Sequence, residues 1–279
     1  MDRRFVIRET ATVGPEIVRL VVEAPRVATH ARAGQFVIVR ANEHGERIPL
    51  TICEADPAAG TITLVVQAVG ATTVQMNAKE VGDHLADVLG PLGTPTEIEL
   101  FGTCLVVAGG VGTAIVLPVA HALSNAGNRV VAIVGARDAD HLILLDEMGV
   151  ACDDVIITTD DGSAGLHGFV TDALAMLIST STVDYVFAAG PIPMMRAVAE
   201  ATRGDKIVTV ASLNPLMVDG TGMCGGCRVT VGGASQFACV DGPEFDAHQV
   251  DFAALATRNT AYLAFESCRL GEIGAEIDA

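Results

Sequence analysis

The stretch Leu105-Val-Val-Ala-Gly109-Gly110-Val111-Gly112-Thr113-Ala114 sets a continuous aliphatic run directly before a cluster of glycines and a helix-forming segment. Strands buried on both faces read as unbroken apolar runs, and a glycine turn leading into a helix leaves backbone N–H groups free to meet a phosphate. The third Gly of G-x-G-x-x-G and the Lys of a P-loop are both missing, so a plain tight βα turn stays open as an alternative at this point. A second turn of the same kind, Ala188-Ala189-Gly190-Pro191-Ile192-Pro193-Met194-Met195, also follows an apolar strand and opens a helix. Two such loops on one carboxyl edge of a sheet suit a dinucleotide, and Thr159-Asp160-Asp161-Gly162-Ser163 stands between them in sequence, placed to line the same cleft.

Around these loops strands and helices alternate. Strands are expected at Leu105 to Ala108, Val130 to Gly135, Val155 to Thr159 and Tyr185 to Ala189. Helices are expected near Ala114 to Ala126, Ile143 to Met148, Val170 to Ile178 and Pro193 to Thr202. The alternation predicts a doubly wound α/β domain over 101–211. Before it, Phe5 to Ile7, Ile17 to Val22, Phe36 to Val39 and Thr61 to Gln67 are short β-type runs separated by turn residues, which predicts a small antiparallel β-barrel over 1–100 closed by a turn at Leu89-Gly-Pro-Leu-Gly93. After it, 212–279 form a third section, dense in Gly and Cys at its start and ending in a polar tail.

Composition narrows the function. The 279 residues carry 17 Lys+Arg against 34 Asp+Glu, a net charge of −17 that repels phosphate backbones and anionic lipid, so neither nucleic acid nor a membrane surface is an expected partner. Half of the residues are hydrophobic and only 4% aromatic, as in sheets of Val, Ile, Leu and Ala covered by helices, and a mean hydropathy of +0.45 leaves apolar surface for another subunit. From Gly102 to Asn128 there is no Asp, Glu, Lys or Arg, but Gly109, Gly110, Gly112, Thr113 and Pro118 interrupt the run, which argues against a bilayer span. Charges at Asp2, Arg3, Arg4 and Arg8 replace the apolar core of a signal peptide, so a cytoplasmic location is expected.

Of seven cysteines, Cys53, Cys104, Cys152 and Cys268 are scattered singly and read as small buried hydrophobes. The other three lie in Asp219-Gly-Thr-Gly-Met-Cys224-Gly-Gly-Cys227, then eleven residues, then Cys239. This matches the plant-type C-x4-C-x2-C…C pattern of a 2Fe-2S cluster, except that Asp219 stands where the first Cys belongs. A disulfide, a Cys3Asp zinc site and a C-x-x-C redox pair compete, and Asp219 before Gly also reads as a turn former. In the β-rich section, Arg47-Ile48-Pro49-Leu50-Thr51 and Gln67-Ala68-Val69-Gly70-Ala71-Thr72-Thr73 offer the cation, backbone and hydroxyls that a flavin requires, though taken singly each reads as an ordinary strand end.

Taken together these motifs resemble the ferredoxin-NADP reductase-like family, in the branch of the electron-transfer subunit of dihydroorotate dehydrogenase. Ser212 to Val231 and Phe237 to Asp246 look most like a narrower group there, the small subunits of NADH-dependent reduced ferredoxin:NADP+ oxidoreductase, also known as sulfide dehydrogenase. The resemblance implies FAD on the barrel, held by Arg47, Pro49, Leu50, Thr51, Gln67, Ala68, Val69, Thr72 and Thr73. It implies NADH or NADPH on the α/β domain at Gly110, Val111, Gly112, Thr113, Gly190, Pro191 and Met194, and a 2Fe-2S cluster on Asp219, Cys224, Cys227 and Cys239. Hydride from the nicotinamide would pass to FAD and single electrons to the cluster, with no residue acting as general base. The implied partner is a larger FAD/4Fe-4S subunit in a heterodimer or higher complex, with ferredoxin engaged indirectly and electron bifurcation shared between subunits. An electron-transfer subunit of a dihydroorotate or sulfide dehydrogenase, a freestanding reductase and a non-catalytic zinc-bearing interaction subunit are the alternatives. Two departures stand out: dihydroorotate-type subunits have Arg directly before the flavin-motif Pro, where this chain has Ile48, and Cys where it has Asp219. Arg137 and Asp140 pull oppositely on a 2′-phosphate, so the nucleotide preference stays open.

Overall fold

The computed structural model describes residues 5–260; Cys268 and the rest of the polar tail lie outside them. The α/β region is a sheet in the spatial order Leu166–His167, Asp154–Thr159, Arg129–Ala136, Thr103–Gly109, Tyr185–Ala189, Val208–Ser212, Glu244–Asp246. All neighbours are parallel except the last, which pairs antiparallel with Val208–Ser212. Chain order reverses between Thr103–Gly109 and Tyr185–Ala189, so their carboxyl ends form the crevice in which open α/β sheets bind ligands.

The apolar runs are continuous because both faces are covered. Cys104, Val106 and Ala108 point into one core with the helices Thr113–Asn125 and Leu145–Ala151, while Leu105 and Val107 point into the other with Val170–Thr180 and Ile192–Arg203. Pro118 lies within the first of these helices rather than ending it. The strand Val208–Ser212 escapes the sequence reading because it starts exposed and alternates Val with Thr.

The amino-terminal region packs two antiparallel sheets around Leu20, Val37, Val39, Leu64 and Met76. One orders Glu54–Asp56, Thr61–Gln67, Ile17–Glu23, Phe5–Gly14 and His84–Leu85; the other orders Arg47–Thr51, Phe36–Arg40 and Asp87–Leu92. The segment expected to be a closing turn is therefore a strand. Its Gly90-Pro91 falls where the pairing with Phe36–Arg40 shifts register, at a sheet edge, where a missing N–H is tolerated. Ile17, Cys53 and Val65 join the core of the α/β sheet and fix the barrel against it. Burial pushes the Cys53, Cys104 and Cys152 thiols up to about 12, which keeps them neutral, as small hydrophobes should be.

Glu244 is a largely buried carboxyl whose Oε1 accepts a 2.7 Å hydrogen bond from Thr96 Oγ1, and burial pushes it up to about 7. The folded chain thus holds this proton more tightly than the unfolded one. The resulting stability is complete below the ordinary value of 4.5 and is lost as pH rises through about 7. Thermal unfolding followed against pH is expected to show a decline of about 3 kcal/mol across that window, absent in Glu244→Gln.

Candidate functional site: two joined clefts and a cysteine loop

A cleft of ≈ 390 Å³ opens between the barrel and the sheet, and a second of ≈ 830 Å³ lies over the carboxyl ends of the parallel strands. They share a wall of Gln67, Val69, Val111, Ile115, Ser212 and Asn214. Two ligands bound in them would therefore meet edge to edge.

The first cleft is walled by Pro49, Leu50, Thr51, Gln67, Val69, Thr72 and Thr73, all expected flavin residues. The Thr73 hydroxyl accepts hydrogen bonds from the N–H groups of Val69 at 3.0 Å and Gly70 at 2.9 Å, so it shapes the turn from Gln67 into the helix Ala71–Asn77. Arg47 and Ala68 are not part of this wall; Arg47 is exposed opposite Arg40, and Ala68 N donates to Glu16 O. Glu46, Ser212, Asn214 and Met217 line the cleft instead. Ser212 ends the strand Val208–Ser212, and Asn214 and Met217 follow it at the carboxyl edge; because that strand escapes the sequence reading, nothing local marked them.

In the second cleft the glycines have distinct work. A Cβ on Gly112 would run into the Ala189 carbonyl, so only glycine lets the two turns approach. Gly110, at φ +55, has nothing within 4 Å of where its Cβ would be, leaving its backbone open to a ligand. Val111, Gly190, Pro191 and Met194 complete this wall, whereas Thr113 is buried beneath it and its hydroxyl donates to Gly110 O at 2.8 Å. Thr158 also lines the cleft, and its Oγ1 is buried without a hydrogen-bond partner, the condition of a group awaiting a polar ligand. At the far end stand Arg137 and His141. The His141 ring holds the Asp138 carboxyl below the usual range through a 2.5 Å contact.

The wall of the first cleft continues through Pro215 and Met217 directly into the cysteine loop. Gly220, Gly222 and Gly225 take φ of +72, +80 and +70, values that let the loop fold back on itself. Cys227 and Cys239 are buried with Sγ atoms 3.1 Å apart, well beyond a disulfide bond, and both are free thiols. Asp219 accepts hydrogen bonds from Thr221 N at 2.9 Å and Cys224 N at 2.7 Å, which hold its carboxyl below the usual range, and Gly226 N points at Cys224 Sγ at 3.5 Å. Among the described residues no three His, Cys, Asp or Glu side chains close around one point. The Cys227 and Cys239 sulfurs form one close pair, while Asp219 is tied to Cys224 through that residue's backbone N–H.

A barrel, a nucleotide-binding α/β sheet and a cysteine loop built in this way define a reductase of the ferredoxin-reductase class. Residues 214–251 match the iron-sulfur cluster binding domain of dihydroorotate dehydrogenase B. The chain is 48% identical over 241 residues to a dihydroorotate dehydrogenase B (NAD(+)) electron transfer subunit homolog of Thermotoga maritima, covering 86% of this chain and 85% of that one. It is 31% identical to the electron transfer subunit of Geobacillus thermodenitrificans, covering 88% and 97%. A solved structure of an NADH-dependent reduced ferredoxin-NADP oxidoreductase, described for flavin-based electron bifurcation, superposes with a TM-score of 0.92 at 42% identity over 97% of this chain and 98% of that one. The chain belongs to the family of dihydroorotate dehydrogenase B electron transfer subunits. No helix among the described residues is long and apolar enough to cross a membrane.

Replacing Gly112 by Ala forces a side chain into the Ala189 carbonyl and separates the two turns. The expected result is an NADH affinity weakened about tenfold or more, read by titrating the bound flavin's absorbance, with flavin content retained.

Proposed function

We propose that the chain is the NADH-oxidising electron-transfer subunit of a ferredoxin:NADP+ oxidoreductase, with FAD on 1–100, NADH on 101–211 and a 2Fe-2S cluster on 212–279. The observation that carries this reading is the shared wall of the two clefts together with its continuation, within the chain, into the cysteine loop. Bound in these sites, the flavin converts a hydride from NADH into single electrons that the cluster accepts one at a time.

The residues supply placement. Gly110 and Gly112 present backbone to the pyrophosphate of NADH, and Gly190 and Pro191 hold the opposite side. Thr158 offers its free hydroxyl. Pro49, Leu50 and Thr51 would hold a flavin on the barrel side of its cleft, and Val111 and Ile115 supply apolar side chains to the common wall, where they would keep water out. Hydride transfer needs orientation and no general base, and no His stands among the lining residues of the flavin cleft. Asp219, Cys224, Cys227 and Cys239 hold the cluster, with the Gly226 N–H directed at sulfur. Family membership implies a larger partner subunit; the 42% identical bifurcating oxidoreductase favours one carrying FAD and 4Fe-4S clusters over a dihydroorotate-oxidising one.

The test is an anaerobic visible and EPR spectrum of the purified chain before and after NADH, with iron and sulfide counted. Flavin bleaching, two irons per chain and a rhombic S = 1/2 signal are expected. In Asp219→Cys the cluster is expected to persist with a displaced potential, because a thiolate shares charge with iron that a carboxylate does not. A colourless zinc protein would contradict the reading, and an unchanged potential would remove Asp219 from the ligand set.

A further inference from the structure

All three regions of the chain meet at Glu244. It opens the strand Glu244–Asp246 and pairs with Ser212, a residue in the wall common to both clefts. It follows Pro243, which lines the flavin cleft, and lies five residues after Cys239. Its Oε1 accepts from Thr96 Oγ1 at 2.7 Å, in the segment that links barrel to sheet. Thr96 N donates to Ala33 O of the barrel at 2.9 Å, and Gly34, at φ +81, passes so near that a Cβ would strike both Glu244 Oε1 and Thr96 Oγ1. Around this point Gln35 Nε2 donates to Gly93 O at 2.9 Å, Thr94 N to Gly242 O at 2.7 Å, and Thr94 Oγ1 to Val240 O at 3.1 Å. The barrel, the linker and the cluster section are thus tied together here.

We propose that Glu244 is a positioning residue for the flavin-to-cluster step, fixing through Thr96 the separation of the flavin barrel from the cluster section. This rests on the function proposed above. Electron tunnelling falls steeply with distance, so a joint that holds the two sections in register governs that step while leaving hydride transfer, which lies between barrel and sheet, untouched.

The joint responds to pH through the same side chain. Glu244 faces a cavity of ≈ 570 Å³ whose other titratable groups are Glu97 on the linker, Tyr185 on its strand, Arg203 at the end of a helix and Lys206 just after it, Asp246 on its own strand and His248 beyond that strand. The Gly34 side contributes backbone alone. Burial favours the neutral carboxyl, opposed by the Thr96 hydrogen bond. A charge formed in this buried place draws in water, and hydration of the carboxylate loosens the packing of the joint around it even as Thr96 keeps donating to it.

The test compares the complete, cofactor-loaded chain with Glu244→Gln and Thr96→Val at about pH 6 and about pH 8, on either side of the expected titration. Amide hydrogen exchange at Gln35, Thr94 and Thr96 is read at each pH against Glu244→Gln, which cancels the intrinsic pH dependence. Faster exchange in the native chain at the higher pH alone supports the joint, and equal exchange at both overturns it. In parallel, rapid-freeze EPR after NADH is expected to show cluster reduction slowing toward the higher pH in the native chain, pH-independent in Glu244→Gln, and slowed about tenfold in Thr96→Val, with flavin bleaching unaffected throughout. A native pH profile retained in Glu244→Gln overturns the proposal. Failure of NADH to bleach the flavin in any variant defeats the assigned function instead, while the exchange comparison still decides the joint.

Discussion

Ala108 of one strand pairs in register with Ala189 of the next, and the glycine turns that follow them must leave the sheet edge side by side. They do so because Gly112 lacks the Cβ that would meet the Ala189 carbonyl. Any side chain there would push the helix Thr113–Asn125 away from the strand Tyr185–Ala189 and close the crevice at the switch in strand order. The nucleotide cleft depends on that contact directly, and Val111 and Ile115, close by in the chain, carry its wall over into the flavin cleft. The sheet supplies the nucleotide cleft from above and one side of the flavin cleft from the same turn.

From this edge the route to the cluster is covalent in its scaffolding. Val208–Ser212 is the next strand along, and its carboxyl end runs through Leu213 and Met217, both buried in the sheet's core, to Asp219. The cysteine loop is therefore no appendage. Its return strand, Glu244–Asp246, extends the sheet, so the loop is held at both ends by the scaffold that orients the ligands. A reductase that must hand over single electrons gains from such construction, because the donor and acceptor sites cannot drift independently.

How much of this could be read from the sequence follows from what each residue touches. The four strands before 190 were plain because helices cover both faces and leave only aliphatic side chains. The cysteine spacing was plain because the pattern of ligands is local in the chain. Val208–Ser212 and Glu54–Asp56 were not, since exposed or charged positions break the apolar pattern at the ends and edges of sheets. The strand Asp87–Leu92 hid behind Gly90-Pro91, which reads as a turn unless the register shift opposite it is known. Arg47 had the right chemistry for a flavin phosphate, but it is exposed at the start of the strand Arg47–Thr51, opposite Arg40, and stands outside the cleft wall that the rest of the strand lines, a placement that local sequence does not carry. Glu244 gave no sign at all, because its burial arises from Gly34 and Thr96, far away in the chain.

The central claim is that the two clefts place the nicotinamide directly against the flavin, with the cluster downstream. Stopped-flow reduction by NADH and by NADH deuterated at the transferred position tests it most directly. The account predicts a primary isotope effect on flavin bleaching and cluster reduction that follows it without an isotope effect of its own. Cluster reduction that precedes or bypasses the flavin phase would contradict it.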